Sequence, residues 1–258
     1  MNPFILPVAL MAVVFLGIVV LNERYNLLSG DRFVWKGGAY AWLGLFLFGI
    51  VVLVTAAALK VPTAKQLAAT PFYRLFALHW ILILFLFVWW LLSGRPPLTE
   101  YLNIRRERVG EAVMTGLAVG FGGWIFTLAV ALIIGLILSA AGVIPKNPQP
   151  SPMIGYMAAL PLWKKATIVA SAMTVEEAFF RGWLQKRIGL VASTILFAVA
   201  HTGLGQPLLL IGVFVISLVI GFTFYRTKNL IPCIIAHGVF DAIQLFVILP
   251  VVFKMIGG

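Results

Sequence analysis

The chain is poor in what keeps a protein in water. Only 10% of its 258 residues are charged and only 8 are Asp or Glu, while 62% are hydrophobic. With a mean hydropathy of +1.06, that composition excludes a soluble globular domain. Cysteine is nearly absent too. The single Cys233, inside an apolar run, excludes an internal disulfide and a cysteine-based zinc site and reads as a small buried hydrophobe. Short alternating segments of about ten residues are missing, which excludes a transmembrane barrel. No internal repeat or low-complexity tract appears, which counts against an inverted-repeat architecture.

What is present is a series of apolar runs, several of about 20 residues, the length needed to cross a hydrocarbon core of roughly 30 Å. The expected fold is all-α, a polytopic transmembrane bundle of about eight spans, near 4–21, 39–59, 72–93, 113–139, 165–185, 190–202, 207–225 and 230–253. The first run has no preceding Lys or Arg and no small-residue cleavage site after it, so it is expected to be a membrane helix and not a cleaved signal. Trp35, Trp42, Trp80, Trp89 and Trp90 are placed as an aromatic belt. Segment 99–111 is expected to form a short amphipathic interfacial helix, either a lid or substrate guide or, more plainly, a solvated connector. Segment 142–163, with Pro145, Pro148, Pro150, Pro152 and Pro161, is expected to be a loop with at most a short turn.

The net charge of +11 does not indicate nucleic acid, because the basic residues lie in short loops between apolar runs. Topogenic charge and attraction to anionic headgroups account for it. The basic residues at 24–36, 95–108, 186–187 and 226–228 outnumber those at 60–74, 146–165 and 254. The first set is therefore assigned to the cytoplasmic side.

One stretch breaks the apolar pattern, Thr174-Val-Glu-Glu-Ala-Phe-Phe-Arg-Gly-Trp183, with two acids and an arginine inside a span. An ionisable side chain at a helix centre costs roughly 2.5–3.5 kcal/mol, so three facing lipid would cost on the order of 8–10 kcal/mol. They must face protein or a water-filled cavity. Glu177 and Arg181 are four apart with the acid first, the favourable order for an intrahelical pair that locks helix packing. Glu176 points about 100° away and need not share that arginine.

Two of the three histidines fall in the same third of the chain. Phe197-Ala-Val-Ala-His201 closes the sixth run, and His237-Gly-Val-Phe-Asp241 sets an imidazole and a carboxylate one turn apart in the eighth. At 1.5 Å per residue, Glu176 lies about 15 Å below the basic end, His201 about 16 Å, His237 about 12 Å and Asp241 about 18 Å. Three spans thus deliver acid–base groups to one level. Such a set can activate a water and polarise a carbonyl. His79 fits neither motif and is expected at the interface.

Glu-Glu-x-x-x-Arg, Phe-x-x-x-His and His-x-x-x-Asp, in order on successive membrane spans over about residues 165–250, resemble the CPBP family. Its members are the CAAX prenyl endopeptidases, bacteriocin-processing enzymes and Abi proteins of glutamate-dependent intramembrane protease type. The resemblance implies that Glu176 activates water, His201 assists, and His237 with Asp241 forms an oxyanion or substrate-polarising site; Glu177 and Arg181 are structural. The third motif often ends in Asn. Here Asp241, if ionised, cannot donate to an oxyanion, so it is either protonated or orients His237. Residues 1–140 then form a helical scaffold and 141–258 the catalytic core of one integral membrane domain.

The implied activity is hydrolysis of a peptide bond in a membrane-associated or prenylated protein or peptide, at a site in the cell membrane opening to the cytoplasm. His-Glu-x-x-His, Gly-x-Ser-x-Gly and Gly-x-Gly-Asp are all lacking, which sets other intramembrane proteases aside. Phe180 and Phe197 are candidates to line a substrate cavity, although helix packing is the plainer role. No cofactor is required; if a divalent metal such as Zn²⁺ takes part, Glu176, His201 and His237 are its ligands. Two other classes would use the same residues, a small proton-coupled transporter and a non-catalytic scaffold or regulator.

Overall fold

A computed structural model describes residues 5–26, 28, 32–59, 62–143, 152–204 and 206–255. Part of the 142–163 segment (144–151) and Phe4, Lys60, Lys146 and Gly205 lie outside the described residues. The described residues form helices and turns with no strand. In chain order the helices are α1 (Ile5–Tyr25), α2 (Lys36–Leu59), α3 (Ala64–Ala69), α4 (Ala77–Leu92), α5 (Leu98–Tyr101), α6 (Val109–Ala140), α7 (Pro152–Ala159), α8 (Leu162–Ser171), α9 (Lys186–Ala200), α10 (Pro207–Thr227), α11 (Leu230–Ala242) and α12 (Leu249–Met255). Between α8 and α9 the chain winds as π-helix, over Ala172–Glu176 and Ala178–Gln185.

Among the described residues six helical stretches are long and apolar enough to cross a membrane, starting at Lys36, Phe72, Val109, Leu162, Leu208 and Leu230. The expected count of eight is not reproduced. Runs 165–185 and 190–202 fall in one stretch, Leu162–Leu204, and α1 is not among the six. That stretch bends at Gly189, whose φ of 82° a side chain would strain.

Two apolar clusters carry the packing. Leu43 and Phe46 of α2, Phe85 and Trp89 of α4, Phe179, Phe180 and Trp183 of the π segment, and Phe197 of α9 form the first. Trp183 meets two of its rings edge-on, Phe85 at 4.7 Å and Trp89 at 5.2 Å, an arrangement aromatic quadrupoles favour. Trp89 is 0% exposed, so it belongs to this core and not to a belt. The second cluster joins Ile216, Ile220 and Phe224 of α10 to Leu230, Cys233 and Ala236 of α11, and Cys233 is fully buried there.

In a bilayer, helices associate through close packing and not through release of water. α6 meets α11 through Gly116 and Gly120, where a Cβ would lie 2.6 Å from Ile235 and 2.6 Å from Val239. These contacts set the position of α11, which bears His237 and Asp241.

At one end of the bundle the basic loops gather. Val34 N–H donates to the Leu92 carbonyl at 2.9 Å, and Leu230 N–H to the Asn103 carbonyl at 2.9 Å. Lys186 Nζ donates to the Tyr101 carbonyl and to Asn103 Oδ1, and Asn229 Nδ2 donates to the Arg105 carbonyl at 3.2 Å. Segment 99–111 is accordingly no single helix. The one-turn α5 ends at Tyr101, the chain turns at Asn103, whose φ is 56°, and Asn229 and Lys186 hold the connector down. Residues 152–159 form a helix where a loop was expected, because Pro152 starts α7 and supplies no misplaced N–H there. Lys165, expected among loop charges, is 4% exposed within α8 and donates to the Ala158 carbonyl at 2.9 Å.

Candidate active site

The two adjacent glutamates of the π segment face different partners. π turns recur at functional sites, and this one supplies Glu176, Glu177 and Arg181, all buried. Glu177 is 0% exposed, and its Oε1 lies 3.2 Å from Arg181 Nη1 and accepts from His237 Nδ1 at 2.8 Å. Arg181 Nη2 donates to both the carbonyl and the hydroxyl of Ser217 on α10, each at 3.0 Å, while its guanidinium lies 4.8 Å from the Phe197 ring. The expected Glu177–Arg181 pair is therefore formed. It also reaches His237, which the spacing alone did not reveal.

Glu176 faces two other imidazoles. Its Oε1 is 3.0 Å from His79 Nε2, and its Oε2 is 3.7 Å from His201 Nε2. His201 follows the last residue of α9, and its Nδ1 donates to the Phe197 carbonyl at 2.8 Å. A carbonyl only accepts, so Nδ1 carries the proton and Nε2 of the neutral ring is an acceptor. Glu176 Oε2 is buried and makes no hydrogen bond. Two acceptors 3.7 Å apart do not bond to each other, but a water can donate to both.

His237 and Asp241 are one turn apart as expected, with Nε2 and Oδ2 at 3.3 Å. Both ring nitrogens of His237 thus face carboxylates, Glu177 on one side and Asp241 on the other. In this arrangement Asp241 orients the imidazole; for His237 to polarise a carbonyl, Asp241 would have to yield its place. The Asp241 side chain is 23% exposed and that of His201 26%, against 7% for His237 and 9% for Glu176, so His201 and Asp241 are the open members of the group. Phe197 lies among them, stacked on His201 at 4.5 Å, 6.0 Å from His237 and edge-on to Phe180 at 4.8 Å. Phe197 and Phe180 are each 4% exposed; the first backs the imidazoles and the second lies one ring behind.

His79 corrects the sequence reading. It is buried at the start of α4, against the π segment, and not at an interface. Its Nδ1 is 2.8 Å from Ser171 Oγ, so one ring bridges Ser171 and Glu176. A polar residue inside a span must find a partner, and that rule, applied to a lone histidine, was the available signal. The three residues named as metal ligands are divided, since His237 turns to Glu177 and Asp241. Among the described residues no group of three or more His, Cys, Asp or Glu side chains is arranged to hold a metal ion.

Among the described residues, six helical stretches have the length and composition of membrane spans, as in a multi-pass membrane protein, and the carboxylates and imidazoles are buried among them. Residues 158–243, which hold every motif residue named above, match the model of the family described as Type II CAAX prenyl endopeptidase Rce1-like. The description is that of a peptidase family, and the similarity covers about a third of the chain. Neither a curated protein nor a solved structure matches the chain.

Proposed function

We propose that the chain is an intramembrane endopeptidase that hydrolyses a peptide bond in a membrane-associated, prenylated protein or peptide, with Glu176 as the base that activates water. The observation that carries this reading is the pairing of a buried, unbonded Glu176 Oε2 with the acceptor nitrogen of His201 at 3.7 Å. A water held between them gives its proton to Glu176 as its oxygen adds to the scissile carbonyl carbon. The C–N bond then breaks as the leaving nitrogen takes that proton. A positioned base supplies about 10²–10⁴-fold in rate. His201 orients the water by accepting a hydrogen bond from it at Nε2. Glu177 and Arg181 hold His237 from behind, and Asp241 fixes its ring.

The similarity to the CAAX prenyl endopeptidase family supports a prenylated CAAX substrate. By the charge rule the basic end faces the cytoplasm of a cell membrane and contacts anionic headgroups. The pocket then lies about 15 Å beneath that face. No step is routed through a metal, and cleavage assayed with and without a chelator tests that choice. The experiment for the whole reading compares, by mass spectrometry, the membrane peptides of cells expressing the wild type and Glu176→Gln. The reading expects C-terminally trimmed, formerly prenylated peptides only with the wild type. Identical peptide sets would leave a scaffold or a transporter in its place.

A further inference from the structure

We propose that His79, anchored by Ser171, is the positioning residue that fixes the carboxylate of Glu176; the proposal rests on the peptidase reading and adds to it a residue outside the matched segment 158–243. The hydrogen bonds have one consistent direction. An ionised carboxylate only accepts, so His79 Nε2 donates to Glu176 Oε1 across 3.0 Å, and the free lone pair on Nδ1 accepts from the Ser171 hydroxyl across 2.8 Å. Ser171 ends α8 and Glu176 ends the first π turn, so one ring from α4 staples both ends of that turn.

The terminal torsion of a glutamate is soft and roughly two-fold. This one stands among the imidazoles of His79, His201 and His237, with the Glu177–Arg181 pair behind it. Holding Oε1 leaves Oε2 as the oxygen turned to His201 at 3.7 Å. Without His79 nothing else among the described residues hydrogen-bonds Glu176, and the carboxylate can swing onto His201 and close the space for water. α4 therefore contributes to the site directly and is more than scaffold.

The test uses the full chain in proteoliposomes and a fluorogenic farnesylated CAAX peptide, with His79→Leu, His79→Gln and Ser171→Ala. Gln retains an N–H near the position of Nε2 and Leu does not. The expectation is a fall in kcat of at least about tenfold for His79→Leu, with KM within about threefold and the acid limb of the rate–pH profile moved to higher pH. His79→Gln recovers to within about threefold of wild type, and Ser171→Ala, which keeps the ring, moves in the same direction by less. A loss common to Leu and Gln with an unmoved acid limb marks a packing role and overturns the proposal, as does an unchanged kcat in His79→Leu.

A second measurement does not depend on cleavage. Dicyclohexylcarbodiimide modifies protonated carboxyl groups in apolar surroundings, and its addition to Glu176 is quantified by mass spectrometry. Loss of a donor to the carboxylate favours the protonated form, so His79→Leu labels at least about threefold faster than wild type at pH 7 and His79→Gln does not. Equal labelling of all three sinks the proposal. A wild type that labels as expected yet cuts nothing sinks the peptidase reading alone.

Discussion

Arg181→Leu removes the guanidinium that faces Glu177 and Ser217, and the size of the loss can be worked out. Glu177, 0% exposed, loses its counter-charge at 3.2 Å, and the carbonyl and hydroxyl of Ser217 lose donors at 3.0 Å. Breaking a buried pair by deleting one partner costs about 3–5 kcal/mol, chiefly because the remaining charge stays buried. The contact with Phe197 at 4.8 Å adds up to about 2 kcal/mol where desolvated. His237 still donates to Glu177, which favours the lower part of the range. A loss of about 3–5 kcal/mol raises the unfolded fraction by two to three and a half decades, at 1.4 kcal/mol per tenfold. Denaturant titration in detergent micelles, followed by tryptophan fluorescence, reads it. In a Glu177→Gln background the same replacement should cost at least about 2 kcal/mol less, since no charge is stranded. A cost below about 1 kcal/mol, or the same cost in both backgrounds, would refute the reasoning.

Further outcomes follow from the packing and the site. Gly120→Val, whose Cβ would meet Val239 at 2.6 Å and the Ala236 carbonyl at 3.0 Å, should push α11 away and destabilise by about 1–3 kcal/mol or more, with cleavage falling further than the folded fraction. Lys165→Met should be neutral or stabilising by up to a few kcal/mol in the same titration, because a buried ammonium that donates to the Ala158 carbonyl is replaced by an apolar chain of similar length. His201→Ala should lower kcat by at least about 10² while the unfolding midpoint stays near wild type, as its side chain is partly exposed and its loss opens little core.

The parts of the site legible in the sequence are those written within one helix. Glu177–Arg181 and His237–Asp241 are four apart, and the structure places each pair within 3.3 Å. The cost of ionisable groups in lipid also pointed inward correctly, and Glu176 and His201 meet. What one helix cannot encode is which neighbour comes across. His79 stands in an apolar run with no companion four residues away, so periodicity offered nothing, although the same desolvation argument applied to it. His237 reaching Glu177 depends on how closely α11 approaches the π segment, which the spacing Gly116-x-x-x-Gly120 on α6 helps to set. Segment 99–111 misled because its charges follow a helical pattern, while the turn at Asn103 is imposed by Lys186 and Leu230 from distant parts of the chain. Trp89 likewise sits near a helix end by count but under the rings of Phe85 and Trp183 in space.

The most direct test is a single-turnover assay of the fluorogenic farnesylated CAAX peptide in proteoliposomes, wild type against Glu176→Gln, with both shown by fluorescence to unfold at similar denaturant concentrations. The account predicts cutting by the wild type and a rate at least about 10²-fold lower for the variant. Comparable rates from the two proteins would contradict it.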